Sequence, residues 1–255
     1  MTNGNGADPK TRSDRPISDP DDATAFFATL SQELLTDLDE QATLQRICDQ
    51  AMRLIPAADF CGITVRRRRG RLTTLAQTDE VALLCDELQY ELGEGPCVDS
   101  ALEGEPFLVT STGDDERWPR WGPRVAEEGV HALISVELTG PAWHSRDDPL
   151  GAVNLYGRQV GAFSDRELAR ARVFGVHAAN ALATARMARN LDEAVDARHR
   201  IGLAQGTLMQ RYGIDADQAF ELLRRYSSAS NLKLRDVAAR VLETGDLPKP
   251  SSTEG

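Results

Sequence analysis

Apolar positions three and four residues apart mark helices at both ends of the chain, and short apolar runs between them mark strands. A mixed apolar and acidic stretch predicts a first helix over Ala25 to Leu38. A cleaner stripe of Leu44, Ile47, Cys48, Ala51, Leu54 and Ile55 predicts a second over Gln41 to Ile55, ended by Pro56. FCGITV (Phe60 to Val65) and RLTTLAQ (Arg71 to Gln77) read as a hairpin whose tip is Arg66 to Arg69 with Gly70. Asp79 to Tyr90 reads as a helix, LGEGPC (Leu92 to Cys97) as a loop, and a short helix starts near Val98. PFLVT (Pro106 to Thr110), LISVEL (Leu133 to Leu138) and LGAVNLYG (Leu150 to Gly157) are further strands, with DERWPRW as a turn around Trp118, Pro119 and Trp121. Strands with short links and flanking helices argue an α+β domain around one largely antiparallel sheet.

The last quarter of the chain is helical by pattern. RHRIGLAQGTLMQRYG, Arg198 to Gly213, sets Ile201, Ala204, Leu208 and Met209 at helical spacing and leaves Arg198, Arg200, Gln205 and Arg211 on the remaining arc. Asp215 and Gln218 stand at the spacing of a capping box, before an apolar face of Ala219, Phe220, Leu222 and Leu223. After a polar turn from Ser227 to Asn231, Leu234, Val237, Ala238, Val241 and Leu242 repeat the pattern until Gly245 and Pro248 stop it. That is a small three-helix, all-α domain. Between Gly175 and Gly202 there is neither Gly nor Pro, and Ala178, Ala179, Ala181, Ala183, Ala185 and Ala188, strong helix formers, favour a single helix of about 26 residues and about 39 Å through the joint. Ala181, Thr184, Ala188, Leu191, Val195 and Arg198 follow three-and-four spacing as a coiled-coil seam does, and a helix packed only on its own domain fits them equally.

Composition sets boundaries on this picture. Residues 1–24, rich in Gly, Pro, Asp and Ser, cannot bury enough surface to offset ordering entropy and are expected to be a disordered tail. The expected division is a larger domain over 25–185, a connecting helix over 186–197, the helical domain over 198–247 and a tail over 248–255. No signal-peptide core and no run of about 20 apolar residues appears, so a cytoplasmic location without membrane contact is expected.

The net charge of −11 argues against nucleic acid until it is divided along the chain. Residues 1–185 carry 18 Lys and Arg against 30 Asp and Glu, whereas residues 186–245 carry 10 against 8. The acid is concentrated at the front, and the small positive excess lies in the helical end. The four arginines Arg66 to Arg69, inside the acidic domain, read as a solvated hairpin tip.

Catalytic chemistry finds no support. There is no nucleophile with an evident base, no carboxylate pair, and no zinc spacing among Cys48, Cys61, Cys85, Cys97 and four scattered histidines. No enzyme activity, metal or cofactor is expected. The GxG of the LGEGPC loop lacks the Lys-Ser or Lys-Thr of a phosphate loop.

Two resemblances sharpen these readings. Arg198, Ile201, Gly202, Ala204, Gly206, Leu208 and Met209, with AFELLRRYS (Ala219 to Ser227) and LRDVA (Leu234 to Ala238), resemble the ANTAR domain, an RNA-binding module of bacterial transcription antiterminators. The resemblance implies that Arg198, Ala204, Gln205, Gly206 and Arg211 face an RNA loop. The arginines hold phosphate, Gln205 reads a base edge where the family often has lysine, Gly206 admits the backbone, and Ala204 keeps the surface flat. Lys233 and Arg235 would add phosphate contacts, and a solvated face with acid partners such as Asp192 or Asp196 is the alternative for each arginine.

LQYELGEGPCVDSAL (Leu88 to Leu102), RWP (Arg117 to Pro119), GAVNLY (Gly151 to Tyr156) and GAFSD (Gly161 to Asp165) resemble a GAF domain, the sensor fold often joined to ANTAR in actinobacterial regulators. The signatures of cyclic-nucleotide binding and bilin attachment are missing. Phe107, Trp118, Trp121 and Tyr156 either line a small-molecule pocket or form plain core. Together the resemblances imply a signal-responsive antiterminator that binds stem-loops of nascent mRNA, and the seam reading of the connecting helix implies a parallel homodimer. The rival expectations are a protein-interaction regulator and a thiol redox sensor using Cys97.

Overall fold

A computed structural model describes residues 20–36, 38–67, 70–139 and 151–247. Residues 1–19, Arg68 and Arg69 of the hairpin tip, Leu150, Pro248 and the C-terminal tail lie outside the described residues. The chain divides into two compact units, residues 1–187 and 188–255.

The first unit is built on a five-stranded sheet in the order β2-β1-β5-β4-β3. Its strands are β1 (Phe60–Arg66), β2 (Leu72–Gln77), β3 (Phe107–Val109), β4 (Ala132–Leu138) and β5 (Gly151–Gly157), every neighbouring pair antiparallel. On one face lie α1 (Pro20–Leu34), α2 (Glu40–Leu54) and the first part of α6 (Asp165–Tyr212); on the other lie α3 (Glu80–Leu92), α4 (Pro96–Glu103) and α5 (Trp121–Glu127). Side chains alternate between the faces as a strand requires. Cys61, Ile63 and Val65 of β1 and Val153 and Leu155 of β5 join Leu44, Ile47 and Phe174, while Phe60 and Tyr156 turn to Trp118 and Trp121. Because helices cover both faces, β1 and β5 are buried almost throughout, and their sequences read as runs rather than alternations.

Local signals explain the helix ends. Asp39 caps α2 by accepting from the Ala42 amide at 2.8 Å, and Asp79 caps α3 by accepting from Val81 at 2.9 Å. Two expectations need correction. The first helix starts at Pro20 rather than Ala25, so residues 20–24 belong to it and not to a tail; proline is suited to a first helical turn, whose amides have no partner within the helix. The DERWPRW turn runs into a helix, α5, in which Pro123 again occupies the first turn.

The second unit packs the C-terminal part of α6 with α7 (Ala216–Ser230) and α8 (Leu234–Thr244). Ala204 and Leu208, Ala219 and Leu223, and Val237, Ala238 and Val241 form its core. The capping box is present in both directions: Asp215 accepts from the Gln218 amide at 2.8 Å, and the Asp215 amide donates to the Gln218 side chain at 3.1 Å. The expected polar turn from Ser227 is instead helical to Ser230, and Asn231 closes α7 in the left-handed conformation. Gly245 closes α8 in the same way.

Candidate nucleic-acid interface

Helix α6 is continuous through the joint, and its exposure shows which side of it is free. Ala181, expected on the seam, is buried in the core of the first unit, and Thr184 turns its hydroxyl to the Asn180 carbonyl at 2.8 Å. Leu191 and Val195 are 61% and 60% exposed, far above what apolar side chains in a packed helix show.

The predicted RNA contacts divide into three groups. Arg198, Gly206 and Lys233 are exposed. A Cβ added at Gly206 would meet nothing within 4 Å, so the bundle itself places no demand for glycine there. Gln205, Arg211 and Arg235 are engaged within the unit. The Gln205 amide donates to the Ala216 carbonyl at 3.1 Å, tying α6 to the start of α7. Arg211 pairs with Asp246 at 2.8 Å, and Asp246 also accepts from Tyr212, a hydrogen bond that holds its carboxyl below the ordinary range. Arg235 lies 3.6 Å from Glu193 and 3.7 Å from Asp236. Ala204 stands alone: it is fully buried in the bundle core, so its small side chain serves close helix packing and not a flat outer surface. That placement corrects its assignment as a contact residue.

Arg200 was not among the predicted contacts. It is exposed and lines, with Glu193, Asp196 and Ala197 of α6 and Arg235, Asp236 and Ala239 of α8, a groove of about 330 Å³. Its place was legible only as part of the polar arc, because the groove needs α8 folded against α6. The acid partners of the arginines are Glu193, Asp236 and Asp246 rather than Asp192 or Asp196. Surface pairs of this kind contribute little to stability and can be exchanged for a phosphate at small cost. On α7, Glu221 holds both Arg224 and Arg225, and their hydrogen bonds bring its carboxyl down to about 2.

In the first unit the four aromatic candidates do come together. Phe107 and Trp118 meet edge to face with ring centroids 5.5 Å apart, and Trp118 and Trp121 at 6.3 Å. The indole of Trp118 donates to Asp99 at 2.7 Å and that of Trp121 to the Cys85 carbonyl at 3.2 Å; both rings and Tyr156 are buried. Their packing is that of a core, with polar edges satisfied. Glu94 of the LGEGPC loop accepts from the Arg120 and Trp121 amides at 2.7 and 3.1 Å and fixes the start of α5.

Cys97 is fully buried, and burial, reinforced by the Asp86 carboxylate, pushes its thiol well up; it donates to Thr64 at 2.9 Å. A reactive thiolate requires the opposite setting, exposed and electropositive. The redox expectation is therefore corrected. Among the described residues no group of three His, Cys, Asp or Glu could hold a metal ion, and no helix is long and apolar enough to cross a membrane.

Residues 37–183 match the family model of the GAF domain, and residues 189–242 that of the ANTAR domain. Among solved structures, the GAF domain of a phosphoenolpyruvate-protein phosphotransferase from Coxiella burnetii is similar with TM-score 0.50 and 17% identity, covering 66% of this chain and 96% of that one. The free methionine-R-sulfoxide reductase from Neisseria meningitidis is similar with TM-score 0.51 and 12% identity, over 68% of this chain and 96% of that one. At these identities the likeness speaks for the fold alone. No curated protein matches the chain in sequence.

Proposed function

Given that the chain belongs to the GAF domain family and carries an ANTAR domain behind it, we propose that it is a signal-responsive transcription antiterminator of the actinobacterial kind. The ANTAR domain binds stem-loops of nascent mRNA and so prevents a terminator hairpin from forming, and the GAF domain sets how often the chain is competent to do so. The observation that carries this reading is the exposed set of Arg198, Arg200 and Lys233, within the helical end, residues 186–245, where 10 Lys and Arg stand against 8 Asp and Glu. RNA loops are read by groups on such a face, with phosphates held by Arg and Lys. The role is regulatory and not catalytic, it is exercised in the cytoplasm, and a small molecule acting on the GAF domain is the signal.

The chain acts as a homodimer. Leu191 and Val195 lie four residues apart on one exposed stripe of α6, and a second copy of the same helix covers both. Sequencing of RNA crosslinked to the full chain tests the proposal. Wild type enriches stem-loop sequences, and a variant carrying Arg198→Ala, Arg200→Ala and Lys233→Ala loses that enrichment. Equal enrichment in the two proteins would remove these side chains from the interface.

A further inference from the structure

The face of the sheet that carries α3 and α4 holds a polar network which RNA binding does not use. On α3, Asp86 and Gln89 interrupt the buried apolar positions Ala82, Cys85 and Leu88, and both are fully buried themselves. The Asp86 carboxylate accepts three hydrogen bonds: from Tyr156, from Asn154 at 2.8 Å and from Thr74 at 2.7 Å. The sheet makes room for it, since a Cβ at Gly62 would lie 2.7 Å from its Oδ2.

Among the described residues, the groups facing Asp86 carry no positive charge. On its own helix these are Cys85, Glu87 and Tyr90; β2 presents Thr74, β5 presents Asn154 and Tyr156, α4 presents Cys97, and β1 presents Thr64. A buried carboxylate is stabilised by hydrogen bonds or by a cation, and here only the first is available. Burial outweighs the three hydrogen bonds, and the carboxyl is pushed up to about 6. Asp86, Thr64, Asn154 and Tyr156 are all sealed from solvent, so the ligand that reaches the carboxylate without opening the sheet is a proton.

The surrounding hydroxyls are arranged to accept one. Thr74 is 2.8 Å from the Tyr90 hydroxyl, which is 2.6 Å from Thr64. Both Thr74 and Tyr90 are only half-buried, which gives the chain of hydroxyls an outer end at the sheet edge. A proton on Oδ2 donates to the Thr74 oxygen, and Thr74 turns its own hydrogen to the Tyr90 oxygen, while Thr64, which accepts from Cys97 and Asn154, keeps donating to Tyr90. The bonds of Thr74 survive with their direction reversed, and the carboxyl becomes neutral.

We propose that the Asp86 cluster is a proton-binding site through which the first unit registers acidification as firmer packing of α3 on β1, β2 and β5. A carboxyl whose folded value lies above its unfolded value favours the folded state as pH falls, with the gain present below the folded value and lost as pH rises through it.

Urea unfolding of the full chain, followed by tryptophan fluorescence of the first unit at pH 7.5 and pH 5.0, tests this. From the values about 6 folded and 3.8 unfolded, the folding equilibrium constant gains roughly tenfold from Asp86 on going to pH 5.0. Asp86→Asn, which keeps the shape and can still donate to Thr74, should show a pH response smaller than wild type by that factor. Tyr156→Phe removes one donor to the carboxylate and should move the steep part of the wild-type response to higher pH; it decides the matter if Asp86→Asn does not fold. Identical pH responses in wild type and Asp86→Asn, or an unmoved response in Tyr156→Phe, would overturn the proposal.

Discussion

Gly206→Ala should make the helical unit more stable while weakening its hold on RNA. Gly206 sits inside α6 with open space around the position its Cβ would take, and Gly202, one turn earlier, is in the same situation. Glycine in a helix interior costs about 1 kcal/mol relative to alanine, because the unfolded chain has more freedom to lose and no contact offsets it. With no clash to subtract, the substitution is expected to return about 1 kcal/mol, and the pair of substitutions about 2 kcal/mol. For a domain of 60 to 100 residues, about 1 kcal/mol raises Tm by roughly 4–8 °C. Thermal unfolding of the full chain followed by far-ultraviolet circular dichroism reads this as an upward shift of the transition that the Leu208 core variant described below abolishes. If the RNA backbone approaches the helix at Gly206, the added methyl group lowers affinity for a hairpin while Tm rises. A fall in Tm for either single variant would refute the reasoning, since it would mean that something packs where the structure shows nothing. An unchanged affinity would remove Gly206 from the contact surface and leave the stability argument intact.

Other substitutions probe separate links. Leu208→Ala empties part of a core made of only a few side chains, and at about 2–5 kcal/mol for such a truncation it should unfold the helical unit and abolish hairpin binding while the tryptophan signal of the first unit stays native. Glu193→Gln removes the acid 3.6 Å from Arg235 and should raise hairpin affinity a few-fold in a gel shift at low salt; unchanged affinity would place Arg235 outside the interface. Arg186→Met breaks a largely buried pair, with Glu40 at 2.9 Å, and should destabilise the first unit by about 3 kcal/mol in urea unfolding, because a buried charge-assisted hydrogen bond is lost.

Where one physical cause dominated, the sequence was a good guide. The strands needed only runs of β-branched and apolar residues, and β1, β4 and β5 begin and end within a residue of their expected bounds. The capping box at Asp215 and the left-handed stop at Gly245 are local chemistry and appear as expected. Elements were missed where a punctuating residue had two uses. Pro20 and Pro119 suggested a tail and a turn, yet Pro20 stands in the first turn of a helix and Pro119 two residues before one. Ser227 to Ser230 looked like a polar turn, but Ser227 and Ser230 turn their hydroxyls to the carbonyls of Leu232 and Tyr226, which lets the helix continue.

The site was less legible because its chemistry depends on partners far apart in the chain. Nothing near Arg211 or Arg235 in sequence predicts Asp246 or Glu193, and Ala204 changes from surface to core only once α7 and α8 are in place. Asp86 did leave a signal: with Gln89 it falls on the apolar side of α3, where a carboxylate has no reason to be unless hydrogen bonds await it.

The central claim is that the exposed cations of the helical unit hold the phosphates of a looped RNA. The most direct measurement is the affinity of the full chain for a stem-loop and for the same stem as a loopless duplex, taken at several salt concentrations. The account predicts a preference for the stem-loop, an affinity that falls with salt, and a salt slope reduced by about one for each of Arg198→Ala, Arg200→Ala and Lys233→Ala. Equal binding of the two RNAs, or a slope that none of the three variants alters, would contradict it.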